Sequence, residues 1–346
     1  MKVALISGIT GQDGSYLAEH LLSKGYEVHG IVRHASTPNF KRIAHLLNND
    51  ANRQRFQIHD GDLLEPISLM NILRRIEPNE IYNLAAQSHV KYSYEVPSYT
   101  AQVNGIGVLN FLEALRTLEM FEKTRFFQAS TSELFANSSE SQDELSPIAP
   151  NTPYGVSKLF GFWTTKQFRE NFAAFASNAF MFSHESPRRG ENFVSKKIVT
   201  GVARLISGHD SPMRLGNLNA VRDWGHALDY AGAMHLILNH DHPDDFVIST
   251  GFLHTLREFI EKAFQFCDME IVWTGLNNDE KGIDRRTGRV LVEIDTKYLR
   301  PNKEYVRKGN SKKAREELGW SPERSFIDIV SEMMKEELAS TRKVNL

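Results

Sequence analysis

The chain of 346 residues contains a single cysteine, Cys267. One thiol cannot close a disulfide within the chain, which fits a reducing compartment. Net charge is also nearly missing: 41 Lys and Arg against 43 Asp and Glu leave −2 at pH 7. No field of one sign therefore marks a nucleic acid as the partner. No apolar run approaches the roughly 20 residues that span a bilayer. The first run, Val3-Ala4-Leu5-Ile6, breaks at Ser7-Gly8 and is too short for the apolar core of a signal peptide. Repeats and low-complexity tracts are lacking. No His, Cys, Asp and Glu residues stand at metal-ligand spacing, and His226 and His240 read as packing or surface residues. What remains is an ordinary globular composition, 41% hydrophobic and 24% charged, long enough for two domains or one large one with an appendage. A cytoplasmic protein without metal, nucleic-acid or membrane partner is expected.

Against those absences the N-terminus stands out. Val3–Ser7 reads as a buried strand. It runs straight into Gly8-Ile9-Thr10-Gly11-Gln12-Asp13-Gly14, with glycines at spacings of three and three. A helix follows, with Leu17, Ala18, Leu21 and Leu22 on one face and Gly25 as its stop. Strand, glycine turn and helix together form a pyrophosphate site, because glycines let the backbone approach and the helix start offers free N–H groups. The spacing differs from the usual G-x-G-x-x-G.

Strand and helix patterns then alternate. Strands are expected at Glu27–Val32, Arg55–Asp60, Glu80–Ala86, Arg125–Ser130, Ala179–His184 and Asp245–Thr250. Helices are expected at Ile67–Ile76, Val103–Leu118, Tyr154–Phe172, Leu256–Phe266, Lys312–Leu318 and Phe326–Leu338. Such alternation predicts an α/β fold: a Rossmann-type doubly wound parallel sheet with a smaller α/β C-terminal substrate domain. The expected division is 1–184, rejoined by about 222–252, for the cofactor, and 185–221 with 253–346 for the substrate. Right-handed crossovers place the strand ends on one edge of the sheet. There they gather Gly8–Gly14, Arg33, Asp62-Leu63, Leu84–Ser88, Ser130–Glu133 and His184–Arg189. The second strand ends in Val32-Arg33-His34 with no acid to accept a ribose 2′-hydroxyl, so NADP is favoured over NAD.

The chemistry points to Ser130-Thr131-Ser132-Glu133 and Tyr154-Gly155-Val156-Ser157-Lys158. Tyr154 and Lys158, four apart, share a helix face. A lysine beside a tyrosine favours phenolate, which matters because a free phenol titrates near about 10. Thr131 can bond a substrate hydroxyl. Glu133 is a second proton-transfer group, suited to an elimination that follows oxidation.

These motifs resemble the extended short-chain dehydrogenase/reductase family and, within it, the GDP-mannose 4,6-dehydratases. The narrower likeness is carried by Gly8 to Leu17, Asn83 to Val90, Gln128 to Glu133, His184 to Gly190, Leu215-Gly216-Asn217, Arg222 to His226, Asp245 to Ile248 and Gly319-Trp320. The resemblance implies a hydro-lyase that dehydrates a GDP-linked sugar with internal hydride recycling through NADP. Thr131, Glu133 and Tyr154 match its catalytic residues and Lys158 its cofactor lysine. Gly8, Gly11, Gln12, Asp13, Gly14, Arg33, Asp62, Leu63, Leu84, Ala85, Ala86, Gln87, Ser88, Tyr99, His184 and Arg189 match its cofactor contacts. Ser183, Glu185, Lys197, Arg222 and Arg300 match substrate positions. A homo-oligomer, dimer or tetramer, is implied too, with His34–Arg42 as an intersubunit loop. Two positions depart from the family: Ser183 replaces an asparagine and Asn151 an arginine, both expected beside the substrate pocket. They admit a GDP-manno-heptose as an alternative sugar. An NADP-dependent nucleotide-sugar epimerase or reductase, and a catalytically silent NADP binder, are the remaining readings.

Overall fold

The structure, a computed structural model, describes residues 1–37, 39–299 and 306–344. Six strands follow one another through the first half: β1 (Val3–Ser7), β2 (Glu27–Val32), β3 (Phe56–Asp60), β4 (Glu80–Asn83), β5 (Arg125–Ala129) and β6 (Ala176–Met181). With the late strand Asp245–Ile248 they make one sheet of seven, in the order Asp245–Ile248, β6, β5, β4, β1, β2, β3. Every pairing in it is parallel. The order reverses at β1, with β4 on one side and β2 on the other. A crevice opens at the strand ends of such a reversal, which is where ligands bind in doubly wound sheets.

Side chains alternate across the sheet and feed a core on each face. Ala4 and Ile6 of β1 pack with Leu17 and Leu21 of the helix Gln12–Ser23 and with Met234 and Ile237 of the helix Ala227–Leu238. Leu5, Ile31 and Ile81 point the other way, onto Leu69 and Leu73 of the helix Pro66–Ile76 and Phe111 and Leu115 of the helix Gly107–Thr117. A further core joins the helices Val194–Ile206, Leu256–Gln265 and Phe326–Val344 to a four-stranded sheet that includes Met213–Leu215 and Val290–Ile294.

Several boundaries differ from the sequence reading for physical reasons. β4 ends at Asn83 rather than 86, because the N–H groups of Leu84 and Ala85 turn onto the Ser7 hydroxyl, at 3.1 and 3.2 Å. β6 starts and ends three residues early, at Ala176–Met181. The polar stretch Ser177-Asn178 is fully buried there, and Asn178 Nδ2 donates to Asp245 Oδ1 at 2.9 Å. Arg169 holds the same carboxylate in a fork, at 2.9 and 2.8 Å. The expected helix Val103–Leu118 instead starts at Pro97 and carries a widened turn over Gln102–Ile106. Asn104 is buried in that turn and bonds the backbone N–H and carbonyl of Gln87 and the hydroxyl of Ser157. An inward asparagine with three partners distorts the helical ladder locally.

Candidate active site

The turn after β1 is built around glycines that cannot be replaced. Gly8 has φ +72°, and a Cβ there would lie 2.8 Å from the Ala85 nitrogen; one on Gly14 would lie 2.4 Å from the Gly8 carbonyl oxygen. Chain and helix therefore pack backbone to backbone, leaving the helix start unobstructed. Gly11 caps that helix with no side-chain hydrogen bond, so its first N–H groups stay open to an anion. They face a groove of about 460 Å³. Gly8, Gly11, Gln12, Asp13 and Gly14 line one wall of the groove, Leu84, Ala85, Ala86 and Ser88 another, and Asp62 and Leu63 a third. Arg33, Tyr99 and Arg189 complete it, and Arg33 Nη1 donates to the Tyr99 hydroxyl at 2.7 Å. Of the expected cofactor contacts, Lys158 and His184 line the adjoining cavity instead, and Gln87 lines neither. Its side chain turns to the His89 carbonyl and the Thr100 hydroxyl. Arg42, not foreseen, lines the groove and reaches the carbonyl oxygens of Arg188 and Thr10.

A second cavity of about 410 Å³ adjoins the first, sharing Asp13, Leu84, Ala86, Ser88 and Arg189 as walls. Thr131, Glu133, Tyr154 and Lys158 all line it. Thr131 accepts the Glu133 N–H at 3.2 Å and so fixes the short turn Ser132–Leu134 that follows β5. Tyr154 arrives at the start of the helix Pro153–Phe172, which has proline in its first turn and the Thr152 hydroxyl accepting the Gly155 N–H. That is a well-defined N-terminus.

The electrostatics correct one expectation. Burial pushes the Tyr154 phenol up to about 12; the Thr131 hydrogen bond and Arg189 oppose that, while Glu133 and Asp13 add to it. Lys158 is not among these main influences. Its Nζ donates to the Ala129 carbonyl at 2.8 Å, and burial lowers its pKa to about 8 against the pull of Asp13. A lysine four residues on shares the helix face, but its long stem carries the ammonium to the end of β5. Asp13 also meets His184 at 3.0 Å. Burial works against its charge, yet His184, Gln12 and Arg189 together hold it down at about 2.

The substrate positions divide. Ser183, Glu185, Lys197 and Arg222 line the second cavity. Glu185 is already engaged, by the Ser195 hydroxyl at 2.5 Å and Arg189 Nε at 3.0 Å. Asn151 is not on the cavity wall, in contrast to its expected place, whereas Ser183 is. Arg300 lies outside the described residues. Sequence reasoning missed Arg214, which lines the cavity one residue before the Leu215-Gly216-Asn217 motif. It also missed Arg307, whose Nη1 lies 3.4 Å from Glu133 Oε1. His226 is buried, as expected, with its Nε2 3.0 Å from Glu332 Oε2. The sequence offered no metal-spaced cluster, but the fold brings ligand atoms of His240, His242 and Glu317 within 4.8 Å of one another, on the surface and away from both cavities. No helix among the described residues is long and apolar enough to cross a membrane.

Comparison with known proteins agrees with this geometry. The family model described as GDP-mannose 4,6 dehydratase matches residues 5–333. The chain is 48% identical to the GDP-mannose 4,6 dehydratase of Drosophila melanogaster over 345 residues, covering 99% of this chain and 87% of that one. It is 48% identical to the Homo sapiens enzyme over 336 residues (96% and 90%) and 46% identical to that of Sinorhizobium fredii over 343 (99% and 98%). Among solved structures, the dTDP-glucose 4,6-dehydratase of Streptomyces venezuelae superposes with a TM-score of 0.80 at 21% identity, over 99% of this chain and 98% of that one. That likeness shows the fold. The relatives and the match over nearly the whole length show more: this chain belongs to the GDP-mannose 4,6-dehydratase family.

Proposed function

We propose that the paired cavities dehydrate GDP-mannose to GDP-4-keto-6-deoxymannose with NADP as a recycled cofactor. The observation that carries this reading is the convergence of Thr131, Glu133, Tyr154 and Lys158 on one cavity that opens into the glycine groove. A simple dehydrogenase has no need of Glu133 there. Gly8 and Gly14, where a Cβ would collide with backbone, make a cradle that fits a pyrophosphate. Arg33, with no acid at the end of β2, favours the 2′-phosphate of NADP. A nicotinamide held there would supply hydride chemistry, as acceptor from the sugar C4 and donor to C6.

The chain's own groups supply the proton transfers. Tyr154 accepts the proton of the 4-hydroxyl as the phenolate, the form that the Thr131 hydrogen bond and Arg189 favour against burial. The 4-ketone acidifies C5–H, and Glu133 removes that proton. The electron pair forms the C5–C6 double bond as the 6-hydroxyl leaves, carrying a proton from Tyr154 or Glu133 as water, and C5 regains a solvent-exchanged proton when C6 is reduced. Each such acid–base step contributes on the order of 10²–10⁴ in rate. Lys158 anchors the cofactor side of the cavity, and Lys197, Arg214 and Arg222 suit the diphosphate of the nucleotide sugar. The work is divided between 1–184, rejoined by 222–252, for cofactor, and 185–221 with 253–346 for substrate. The protein works as a homo-oligomer in which the segment 34–42 reaches a neighbour.

Ser183 on the cavity wall favours a second reading, the same reaction on a GDP-manno-heptose. Offering both sugars and identifying the products by mass decides between them.

A further inference from the structure

We infer that Arg307 is the positioning residue for Glu133, holding its carboxylate aimed into the cavity. The inference rests on the dehydratase reading, in which Glu133 removes the C5 proton. Arg307 Nη1 and Glu133 Oε1 are 3.4 Å apart, and the two side chains are only 10% and 16% exposed. A pair so shielded is weakly screened by salt, so the contact persists at ordinary ionic strength. Glu133 lines the cavity and Arg307 does not. The guanidinium thus stands behind the base rather than against substrate.

The backbone around Arg307 is clamped to the chain that follows Glu133. The Val306 N–H donates to Asn137 Oδ1 at 3.2 Å. The Gln142 N–H donates to the Lys308 carbonyl at 2.7 Å, and the Asn310 N–H to the Gln142 carbonyl at 2.7 Å. On the other side, the Gly309 N–H donates to Asp223 Oδ2 at 3.1 Å. Asp223 also takes the Thr250 and Gly251 N–H groups, so the segment is tied to the loop after the last strand of the sheet. Four hydrogen bonds thus fix where Arg307 begins, and from there its Nη1 comes to 3.4 Å from Glu133 Oε1. The site needs this because Glu133 sits on a short turn that fixes its backbone, while its side chain retains rotamer freedom. A base that wanders by an ångström loses much of its advantage.

The test compares Arg307→Met with Arg307→Lys, which match in reach and differ in charge, on GDP-mannose. With the methionine, kcat is expected to fall at least about tenfold while KM stays close to that of the parent, since binding groups are untouched. Proton removal becomes slow while C4 oxidation continues, so reduced cofactor builds up in single turnover, read as dihydronicotinamide absorbance. Arg307→Lys should keep kcat within about threefold because a cation remains. Should the methionine variant fail to fold, Arg307→Gln carries the same expectation. An unchanged kcat, a loss confined to KM, or a lysine variant as impaired as the methionine one overturns the inference. A parent enzyme with no dehydratase activity overturns the underlying reading along with it, and the two failures are told apart by that control.

Discussion

Asp13 Oδ2 lies 3.0 Å from His184 Nε2, and His184 Nδ1 lies 2.7 Å from the carbonyl oxygen of Phe182. Both ring nitrogens face acceptors, so the imidazole carries two protons and the pair is ionic. Burial opposes the charge on His184, but Asp13 outweighs it and the pKa is raised. The pair ties the glycine turn to the chain just beyond β6, where the Gln12 side chain also bonds the His184 carbonyl and the Ser186 hydroxyl. Two walls of the site are therefore held by one charged contact.

The sign of its pH dependence follows. A raised histidine contributes stability that is whole below its unfolded value of about 6.5 and is lost as pH rises through the folded value above it. A depressed aspartate contributes above its unfolded value of about 3.9, and that part is lost as pH falls through about 2. The pair is strongest between about pH 4 and 6.5. The expected outcome is a stability difference between the parent and Asp13→Asn, about 1–3 kcal/mol near pH 6, that shrinks toward pH 9. Chemical denaturation across that range measures it. A constant difference contradicts the ionic assignment.

The two proton-transfer residues separate the half-reactions. Glu133→Gln keeps the shape at the cavity wall but removes the base. Its turnover should fall by about 10²–10⁴, solvent deuterium should cease to enter C5, and reduced cofactor should accumulate. Tyr154→Phe should lose the first oxidation, leaving the cofactor oxidised. Stopped-flow absorbance distinguishes the two. Glu133→Gln turning over at the parent's rate removes Glu133 from the elimination.

Arg33, paired with the Tyr99 hydroxyl at the end of β2, is expected to choose the cofactor. Arg33→Ala should weaken NADP binding by about 1.5–3 kcal/mol, the worth of hydrogen bonds to a charged group, while NAD binding changes little. Calorimetric titration of both cofactors is the check. Equal losses would mean that Arg33 does not contact a 2′-phosphate.

Oligomerisation has a direct readout. The chain between β2 and the short helix Ala44–Leu47 is exposed at His34 through Thr37. Its far end is fixed to the same chain's groove by Arg42. Light scattering at micromolar concentration should give the mass of a dimer or a tetramer. A monomeric mass rules out a neighbour's cofactor as the target of this segment.

The legible parts of the molecule were those whose signals are local. β1, the glycine turn and its helix could be read from adjacent residues because the apolar run, the glycines and the 3.6-residue repeat are each short-range. Tyr154 and Thr131 were legible through motif likeness. Ser177-Asn178 misled because polar residues seldom occupy an inner strand; here Asp245, far away in sequence, takes the Asn178 amide N–H and is itself held by Arg169. The place of the Lys158 ammonium was illegible for a related reason. Shared helix face is local, whereas the Ala129 carbonyl that takes its ammonium belongs to β5. Arg307 left no local trace, since its relation to Glu133 exists only after distant segments are clamped together.

The central claim is that one site oxidises, eliminates and reduces without net redox change. Incubating the protein and its cofactor with GDP-mannose in deuterium oxide, with mass and NMR analysis of the product and continuous absorbance of the cofactor, tests it most directly. The account predicts a product lighter than substrate by one water apart from the isotope gained, with solvent deuterium at C5 and no stoichiometric reduced cofactor. Stoichiometric accumulation of NADPH, or a product that retains the elements of water, would contradict it.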